Sequence, residues 1–540
     1  MYDAIFFTDV TQESFNGVDL PLGAYKVASC LRQQGYKVLV VNHLWKWSFD
    51  ELKELLSLAV SKDTKLVGFS TTFFKQLYEP FSLGGKLIKR EKILGWHNRD
   101  LVHPDADFEE PFIEFIKSLN PNVKFCVGGA ITHPNFKNKL IDYAFIGYSE
   151  ISIVNLMNHL SFGEELRNTY KNIWGVSVID DKLAPSYDFV NDTMVWEDTD
   201  IINHKVLPLE LGRGCIFNCS FCSFPLRGKK NLDYLRHTEI IRNELVTMYE
   251  KYGIKHYRIV DDTFNDHNDK ILAFRDIVKS LDFQPYFWCY IRLDLLTTRP
   301  ETIDILYDIG VRSMYFGIET FSEKTGRSIG KGLSRERQNQ TIAHIKEKYP
   351  DVVMHGSLLV GLPEDTEDNI VNTFEKLKNR EVLLDTWELR TLILFRKDMT
   401  TFKSDFELDP EAHGFYDLDE LDKQWTSWKN KNWTFDSART VAQSLMRESY
   451  RLPHFMLRGE QQFGYVNYGY ELKDLVKIPR QKWDFNKISR EDNPKFLDEY
   501  KKGLLQLIQD KLKDAGRQDK GRPAAFQAED RGVRLSLPAP

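Results

Sequence analysis

Short apolar runs alternate with stretches of helical periodicity over residues 1–160 of the chain. The apolar runs predict strands at Tyr2–Thr8, Tyr36–Val41, Lys65–Thr71, Asn122–Gly128 and Tyr143–Ile146. The periodic stretches predict helices at Leu22–Gln34, at Phe49–Ser61 and from Glu150 to Leu160. Because strands that alternate with helices form parallel sheets covered on both faces, we expect residues 1–165 to fold as a doubly wound, Rossmann-like α/β domain.

A second series of strands and helices begins at Lys205. Its strands are predicted at Val206–Leu211, His256–Val260, Tyr286–Ile291, Ser313–Ile318, Val352–Val360 and Leu383–Leu389. A helical pattern separates each strand from the next. Six such units predict a partial, TIM-like (β/α)6 barrel over residues 205–400, in which the chemistry lies at the carboxyl ends of the strands.

The remaining segments do not follow either rhythm. Residues 166–204 are predicted to form a connector between the two α/β units, with a short strand at Gly175–Ile179 and polar turns around Asp180–Lys182. A charged, aromatic insertion at Phe74–Pro111 predicts a lid or a partner surface. Residues 401–515 predict a mainly helical, aromatic-rich region, and residues 516–540, dominated by Gly, Pro, Arg and Gln, predict a disordered tail.

Composition narrows the class of protein. The formal net charge of −6 over 540 residues does not indicate binding to nucleic acid or to a membrane surface. No apolar run approaches the length of a membrane span, and the first residues lack a basic segment with a cleavage site. Six cysteines are too few for a disulfide framework in a chain of this size, which predicts a reducing, cytoplasmic location.

Three of the six cysteines follow the first strand of the second series. The run LELGRGCIFNCSFCSFP places Cys215, Cys219 and Cys222 in a C-x3-C-x2-C spacing, close enough for three thiolates to converge on one metal centre. Zinc sites and ordinary four-cysteine clusters require a fourth ligand, and the next cysteine, Cys289, lies in another apolar segment. Like Cys30 and Cys126, it is predicted to be a core residue.

This run resembles the signature of the radical S-adenosylmethionine (SAM) superfamily, C-x3-C-x-aromatic-C, with Phe221 at the aromatic position. The resemblance implies a [4Fe–4S] cluster on the three cysteines, with SAM chelating the open iron through its amino and carboxylate groups. A low-potential donor, flavodoxin or ferredoxin, would supply the electron that cleaves SAM to a 5′-deoxyadenosyl radical. The sequence assigns no further catalytic residue and identifies no substrate.

The next strand ends carry the residues that the resemblance assigns to SAM. Asp261 and Asp262 stand where the superfamily accepts hydrogen bonds from the SAM amino group, although Asp262 or Thr263 could equally serve as a helix cap. Arg292 lies in an R-x-D motif, where it meets the SAM carboxylate or pairs with Asp294. Glu319, in a G-I-E-T segment, would accept hydrogen bonds from the ribose hydroxyls or hold a SAM-facing arginine.

The fifth strand, with its following turn, resembles the superfamily motif G-x-I-x-G-x-x-E. Ser357 and Leu359 replace the first glycine and the isoleucine of that motif, whereas Gly361 and Glu364 keep their places. The resemblance predicts that this segment packs on adenine at Ser357 and Gly361. Helix capping explains Glu364 and Thr366 equally well.

The amino-terminal unit is similar to the cobalamin-binding domain that precedes many radical SAM domains. The similarity rests on PLGAYKVASCLRQQGYKVLVVN and on VGGA followed by YAFIGYSE. The D-x-H-x-x-G motif that supplies a cobalt ligand in one branch is absent, since His43 and His133 stand in other contexts. The strand ends predict the residues that a cobalamin would approach: Thr8, Ser70, Thr71, Gly128, Gly129 and Gly147.

The leading hypothesis is therefore a radical SAM enzyme that transfers a methyl group to an unactivated carbon with the help of cobalamin. Two alternatives stay open. In the first, the front domain holds no cofactor and the enzyme carries out a radical oxidation or rearrangement. In the second, the cysteines bind zinc or an electron-transfer cluster in a redox or binding module, which requires a fourth ligand near them.

Overall fold

The computed structural model describes most of the chain. The described residues are 2–9, 18–70, 82–83, 86–87, 109–129, 132, 134–136, 138–181, 187–224, 226–228, 234–332, 334–395, 402–418, 425–476 and 478–521. The insertion predicted at Phe74–Pro111 lies almost entirely outside these residues, and so do Thr71 and His133.

The amino-terminal domain is built on one seven-stranded sheet. Its strands are β1 (Ala4–Phe7), β2 (Val38–Val41), β3 (Leu66–Ser70), β6 (Lys124–Gly128), β7 (Tyr143–Gly147), β8 (Thr169–Lys171) and β9 (Ser177–Asp181), and the short strands β4 (Ser82–Leu83) and β5 (Lys86–Leu87) form a separate antiparallel hairpin. The sheet order is β2-β1-β3-β6-β7-β9-β8, and only β8 runs antiparallel to its neighbour. The helices are α1 (Leu22–Gln33), α2 (Phe49–Ala59), α3 (Glu109–Leu119) and α4 (Glu150–Phe162). The prediction of a doubly wound parallel sheet is confirmed.

The short strand predicted at Gly175–Ile179 is present as β9, but it belongs to the first sheet and not to a connector. β9 pairs in parallel with β7 from Tyr143↔Ser177 to Gly147↔Asp181, and β8 pairs with β9. These strands extend the sheet beyond residue 165 because the edge of β7 would otherwise leave its backbone donors and acceptors unpaired. A short helix, α5 (Asp198–Ile201), then leads into the second domain.

The second domain is an open barrel of six parallel strands. They are β10 (Val206–Leu209), β11 (His256–Ile259), β12 (Tyr286–Ile291), β13 (Val311–Glu319), β14 (Val353–Val360) and β15 (Thr386–Thr391), hydrogen-bonded in sequence order. The helices of this region are α6 (Thr238–Tyr252), α7 (Asn268–Lys279), α8 (Leu293–Thr298), α9 (Glu301–Asp308), α10 (Glu323–Ser328), α11 (Arg335–Lys348) and α12 (Glu367–Lys378). The predicted partial (β/α)6 barrel is confirmed, with α8 and α10 as additions that the periodicity did not predict.

The carboxyl-terminal region is mainly helical and packs on both domains. It contains β16 (Leu394–Phe395), α13 (Asp405–Leu408), β17 (Trp425–Thr426), α14 (Phe435–Ser449), α15 (Gly459–Val466), α16 (Leu472–Leu475), α17 (Phe485–Lys487) and α18 (Asn493–Gly521). α14 covers β15, and α15 packs against β10, β12, β13 and β14. The tail predicted to be disordered from residue 516 is wrong up to Gly521, because α18 continues to that residue.

Two hydrophobic cores hold this arrangement together. One is continuous from the α1 and α4 face of the first sheet into the barrel, so the two domains share buried contacts. The other lies on the opposite face of the first sheet, where side chains of α18, including Phe496, Tyr500 and Leu504, pack among those of α2 and α3. Tyr500 also accepts a hydrogen bond from the backbone N–H of Asn42 at 3.0 Å. No helix among the described residues is long and apolar enough to cross a membrane.

Candidate active site at the strand ends

The three clustered cysteines lie on a single loop that begins where β10 ends. Cys215 and Cys222 are half-buried and Cys219 is buried. Two local hydrogen bonds fold the loop on itself. The N–H of Cys222 donates to the carbonyl oxygen of Cys219 at 3.0 Å, and the N–H of Gly228 donates to the carbonyl oxygen of Phe217 at 2.9 Å. Burial, with smaller contributions from the two neighbouring thiols, raises the pKa of the Cys222 thiol to about 11.

Within the described ranges, no three His, Cys, Asp or Glu side chains are already placed to hold a metal ion. The chemistry of the donor set nevertheless fits an iron–sulfur cluster, since three thiols share one loop and soft thiolate ligands suit such clusters. Cys289 is buried in β12, and Cys30 and Cys126 are buried in the first domain, all as free thiols, as predicted.

A guanidinium group supports the second cysteine of the loop. Arg292 Nη1 donates to Cys219 Sγ at 3.3 Å, and the guanidinium stacks on Phe217 at 3.7 Å from the ring centroid. The same side chain forms a two-point ion pair with Asp294, with 2.6 Å between Arg292 Nη2 and Asp294 Oδ2. Arg292 therefore both pairs with Asp294 and places a positive charge beside a cluster ligand, which favours the thiolate.

The two adjacent aspartates after β11 have different environments. Asp261 is buried and accepts the N–H groups of Leu211 and Gly212 at 2.8 and 3.0 Å, while Lys270 Nζ lies 2.7 Å from its other oxygen. It therefore shapes the backbone that enters the cysteine loop. Asp262 is half-buried, and burial, with a contribution from the charge of Asp261, raises its pKa to about 7. Of the two, only Asp262 remains available to a ligand.

Glu319 ends β13 in a left-handed conformation, with φ 63°. Left-handed backbone is uncommon outside glycine, so the surrounding structure must hold it there. Lys331 does so in part: its Nζ donates to Gly317 O at 2.6 Å and to Glu319 Oε1 at 2.9 Å. That ammonium also lies 5.7 Å from the ring centroid of Phe221. Glu319, Lys331 and the aromatic residue of the cysteine loop thus form one group.

The fifth strand does not present its predicted residues to this group. Ser357 faces the interior of the barrel and donates to Glu388 Oε1 at 3.1 Å. Gly361 has a φ of 107°, and a Cβ there would lie 2.4 Å from the Trp428 ring, which fills the space predicted for adenine. Thr366 caps α12 by accepting from the N–H of Asn369 at 3.3 Å. Glu364 pairs on the surface with Lys324.

A cavity of about 280 Å³ opens at the carboxyl ends of the first sheet. Four of the predicted strand-end residues line it: Ser70, Gly128, Gly129 and Gly147. Its floor is apolar and includes Phe6 and Phe69, and further small residues, Gly23, Ala24 and Gly68, complete its wall. The glycines form an open cradle that fits a bulky cofactor.

Thr8 and His43 do not belong to that cavity. Thr8 is buried and its backbone bonds Val41 and Leu44, so the prediction that it approaches a cofactor has no support from its position. His43 is also buried, stacked on His204 at 5.7 Å between ring centroids, and burial holds its pKa well below the usual range. Among the described residues that line the cavity there is no histidine.

The far wall of the cavity comes from the barrel domain. Glu210 and Arg213 line it, and both lie in the segment that leads into Cys215. Arg213 Nη1 is 2.7 Å from Glu150 Oε1 of α4, and its Nε is 3.0 Å from Glu210 Oε1. The sequence did not predict this network, because Glu150 is distant along the chain from Glu210 and Arg213 and none of the three belongs to a motif.

Comparisons with known proteins identify the barrel. The family model described as the radical SAM superfamily matches residues 209–377. The chain carries a radical SAM domain. Its relatives include an uncharacterized methyltransferase of Pyrococcus horikoshii, 25% identical over 49% of this chain and 60% of that protein. A ribosomal protein uS12 methylthiotransferase, RimO of Thermotoga petrophila, is 25% identical over 40% of this chain and 48% of its own length. The chain thus spans about half to three-fifths of these curated relatives.

Solved structures share the fold of both domains. The radical SAM methyltransferase TsrM from Kitasatospora setae, with tryptophan substrate and a SAM analog bound, matches 91% of this chain and 99% of its own at a TM-score of 0.61 and 14% identity. The cobalamin-dependent SAM radical enzyme OxsB, with aqua-cobalamin and SAM bound, matches 96% of this chain and 80% of its own at 0.55 and 13% identity. At these identities the likeness establishes the fold.

Within the radical SAM domain, the structure gathers a smaller site than the motifs predicted. The residues that lie together around the cysteine loop are Cys215, Cys219, Phe221, Cys222, Asp262, Arg292, Glu319 and Lys331. Asp261, Ser357 and Gly361 are engaged elsewhere. Thr263, which sequence reasoning treated only as a cap, lies 3.4 Å from Cys215 Sγ through its hydroxyl. No motif distinguishes that threonine from an ordinary cap.

Proposed function

We propose that this chain is a cobalamin-dependent radical SAM methyltransferase. One observation carries the proposal: the segment that holds the first cluster cysteine also walls the front cavity, through Glu210 and Arg213. The sites proposed for the cluster and for cobalamin therefore lie on two sides of one backbone segment. This arrangement suits a reaction that combines both groups.

The residues of the chain divide the work as follows. Cys215, Cys219 and Cys222 would hold a [4Fe–4S] cluster, which supplies the electron that cleaves SAM, and the front cavity would hold cobalamin, which supplies the methyl carrier. Asp262 accepts the ammonium group of SAM, and Glu319 accepts from its ribose. The barrel orients the acceptor and excludes water. We further propose a flavodoxin or ferredoxin as the reductant.

The test uses anaerobically purified full-length chain, reconstituted with iron, sulfide and hydroxocobalamin. We expect iron at the stoichiometry of one cluster, retained corrinoid, and both 5′-deoxyadenosine and S-adenosylhomocysteine after addition of reductant and SAM. Zinc in place of iron, or a cluster that never cleaves SAM, would refute the proposal. SAM cleavage without any retained corrinoid would instead support an oxidation or rearrangement.

Filling the front cavity is expected to expel the corrinoid without unfolding the chain. Gly23 lines the cavity, and a Cβ on it meets no atom within 4 Å. Gly23→Trp therefore projects a large ring into open space, and we expect about tenfold weaker corrinoid retention, or about 1.4 kcal/mol. Absorbance after gel filtration measures this. Gly23→Ala is the matched control, and equal retention in both variants would place the corrinoid elsewhere.

Removing the hydrogen bond to Cys219 is expected to lower the reduction potential of the cluster. Arg292 is the donor, and hydrogen bonds to cluster sulfurs stabilise the reduced, more negative state. A bond worth about 1 kcal/mol corresponds to about 40 mV for one electron, so Arg292→Met should shift the potential that far downward. An anaerobic titration followed by electron paramagnetic resonance measures it. Arg299→Met, at the other end of α8, should leave the potential unchanged.

A further inference from the structure

The interior of the barrel carries a polar wall that the SAM and cobalamin sites do not use. Strand alternation places Tyr290, Tyr315, Glu388 and Arg390 on the inner side, because the residues between them pack into the hydrophobic core against the helices. Strand register sets Tyr290 beside Tyr315, with ring centroids 4.9 Å apart. It sets Arg390 beside Leu359, near the carboxyl edge of the barrel.

Glu388 is the buried centre of this wall. It accepts hydrogen bonds from Tyr315 and from Ser357, and it pairs with Arg458 Nη1 at 3.0 Å and with Arg390 Nε at 2.7 Å. Burial lowers the pKa of the adjacent His355 to about 3, so that imidazole adds no charge. One carboxylate therefore faces two guanidinium groups, which leaves one positive charge for a ligand.

The surplus charge is accessible at Arg390. Its side chain is 47% exposed, although it points into the barrel from β15, the last strand of the open sheet, and its partner Glu388 is only 4% exposed. In the part of the chain that the structure describes, its Nη1 and Nη2 meet no partner. Tyr290, on a central strand, is likewise 37% exposed. Both side chains therefore face an open space inside the barrel.

A carboxyl group faces the same space from the other side. Glu460, two residues after Arg458 in the first turn of α15, has a backbone carbonyl that accepts from Arg258 Nη2 at 2.6 Å. Arg258 is already paired with Asp19 at 2.7 Å. The side-chain carboxyl of Glu460 has no hydrogen bond or ion pair within the described residues. Arg258 lies over the Trp288 ring at 5.8 Å from its centroid, and the centroids of the Trp288 and Tyr290 rings are 4.8 Å apart. Glu460 therefore approaches the wall at Tyr290, whose hydroxyl its charge and that of Arg390 both influence.

We propose that the barrel interior binds a free α-amino acid, with its carboxylate on Arg390, its ammonium group on Glu460 and its side chain along Tyr290 and Tyr315. A single surplus positive charge matches a carboxylate better than a phosphate dianion, and planar guanidinium groups bind carboxylates through two hydrogen bonds. Packing of α15 and Trp288 closes the amino-terminal end of the barrel, so a small molecule fits where a continuing chain would not. The role of this amino acid as the methyl acceptor rests on the proposed function.

The test is equilibrium dialysis of the anaerobically reconstituted full-length chain against the twenty L-amino acids, each quantified by mass spectrometry. We expect an apolar or aromatic amino acid to be retained best. Its carboxamide and its N-acetyl derivative should each bind about tenfold more weakly, because each removes one charge-assisted contact.

Two substitutions separate the contacts. Arg390→Gln should weaken binding of the free amino acid about tenfold, so that it binds no better than its carboxamide. The preference for the free amino acid over its N-acetyl form should persist. Glu460→Gln should produce the converse pattern. Arg275→Gln, on the surface of α7, is the control and should change neither preference. Thermal unfolding of each variant verifies that it folds.

Retention of no amino acid by the folded wild-type chain would overturn this inference. So would a carboxamide that binds as well as the free acid, or a preference that Arg390→Gln leaves intact. Because dialysis needs no turnover, binding without SAM cleavage would count against the proposed function alone. SAM cleavage by a chain that retains no amino acid would count against this inference alone.

Discussion

Replacing Cys219 with alanine is expected to abolish formation of 5′-deoxyadenosine and to lower the iron content of the reconstituted chain. A cluster needs all three thiolates of the loop, and within the described residues no fourth cysteine lies on it. Cys219 also accepts from Arg292, so its loss leaves that guanidinium without its sulfur partner. Iron analysis and chromatography of the SAM products measure the effect.

The matched control is Cys289→Ala. That thiol is buried in β12 on the side that packs against the helices, away from the loop. We expect a small loss of thermal stability with iron and 5′-deoxyadenosine retained. A Cys219→Ala chain that still cleaves SAM, or a Cys289→Ala chain that loses its iron, would contradict the assignment of ligands.

Replacing Asp261 with alanine is expected to destabilise the folded chain by about 3 kcal/mol. The substitution leaves the N–H groups of Leu211 and Gly212 without their acceptor and removes the nearest counter-charge of buried Lys270. Lys270 keeps a second partner, Asp266 at 3.3 Å, which limits the loss. Denaturant unfolding of the chain without cofactors measures it, and Asp261→Asn, which retains an acceptor, should lose less.

Asp262→Asn is the contrasting variant. Its folded pKa, raised to about 7 from the usual 3.8, means that the ionised form is disfavoured in the folded chain. The contribution of this group to the free energy of unfolding is complete below about pH 4 and is lost as the pH rises toward 7. Asp262→Asn should remove that decline in stability. We expect this variant to keep its stability and lose affinity for SAM. The reverse pattern, with Asp261→Ala stable and Asp262→Asn unfolded, would exchange the two roles.

The contrast between these aspartates shows what a sequence can specify. Side chains alternate along β11, and Tyr257 and Ile259 face the helices. If the alternation continues past the strand, Asp261 also faces the helices, toward Lys270, and Asp262 faces the opposite way. Along β14, Leu358 and Val360 pack into the core against the helices, so alternation places Ser357 inside the barrel. Both outcomes were readable from the period-2 pattern, but matching residues to a motif assigned Asp261, Asp262 and Ser357 to one ligand.

Other features depend on contacts between distant segments. The strands and most helices follow from periodicity, because each is set by residues close together in the chain. The ring that fills the space beside Gly361 comes from Trp428, and the salt bridge that closes the front cavity joins Glu150 to Arg213. A single sequence carries no local signal for such pairs. The pairing of β9 with β7, and the short strand β8, were missed for the same reason, although the β9 strand itself was predicted.

The packing of α18 has a consequence for synthesis on the ribosome. The face of the first sheet that carries α2 and α3 is completed by residues close to the other end of the chain, among them Phe496, Tyr500 and Leu504. That face stays open to water while the barrel is being translated, and it closes only once these residues have emerged. This domain is thus synthesised before the barrel and completed after it, and the growing chain exposes an apolar surface in the interval.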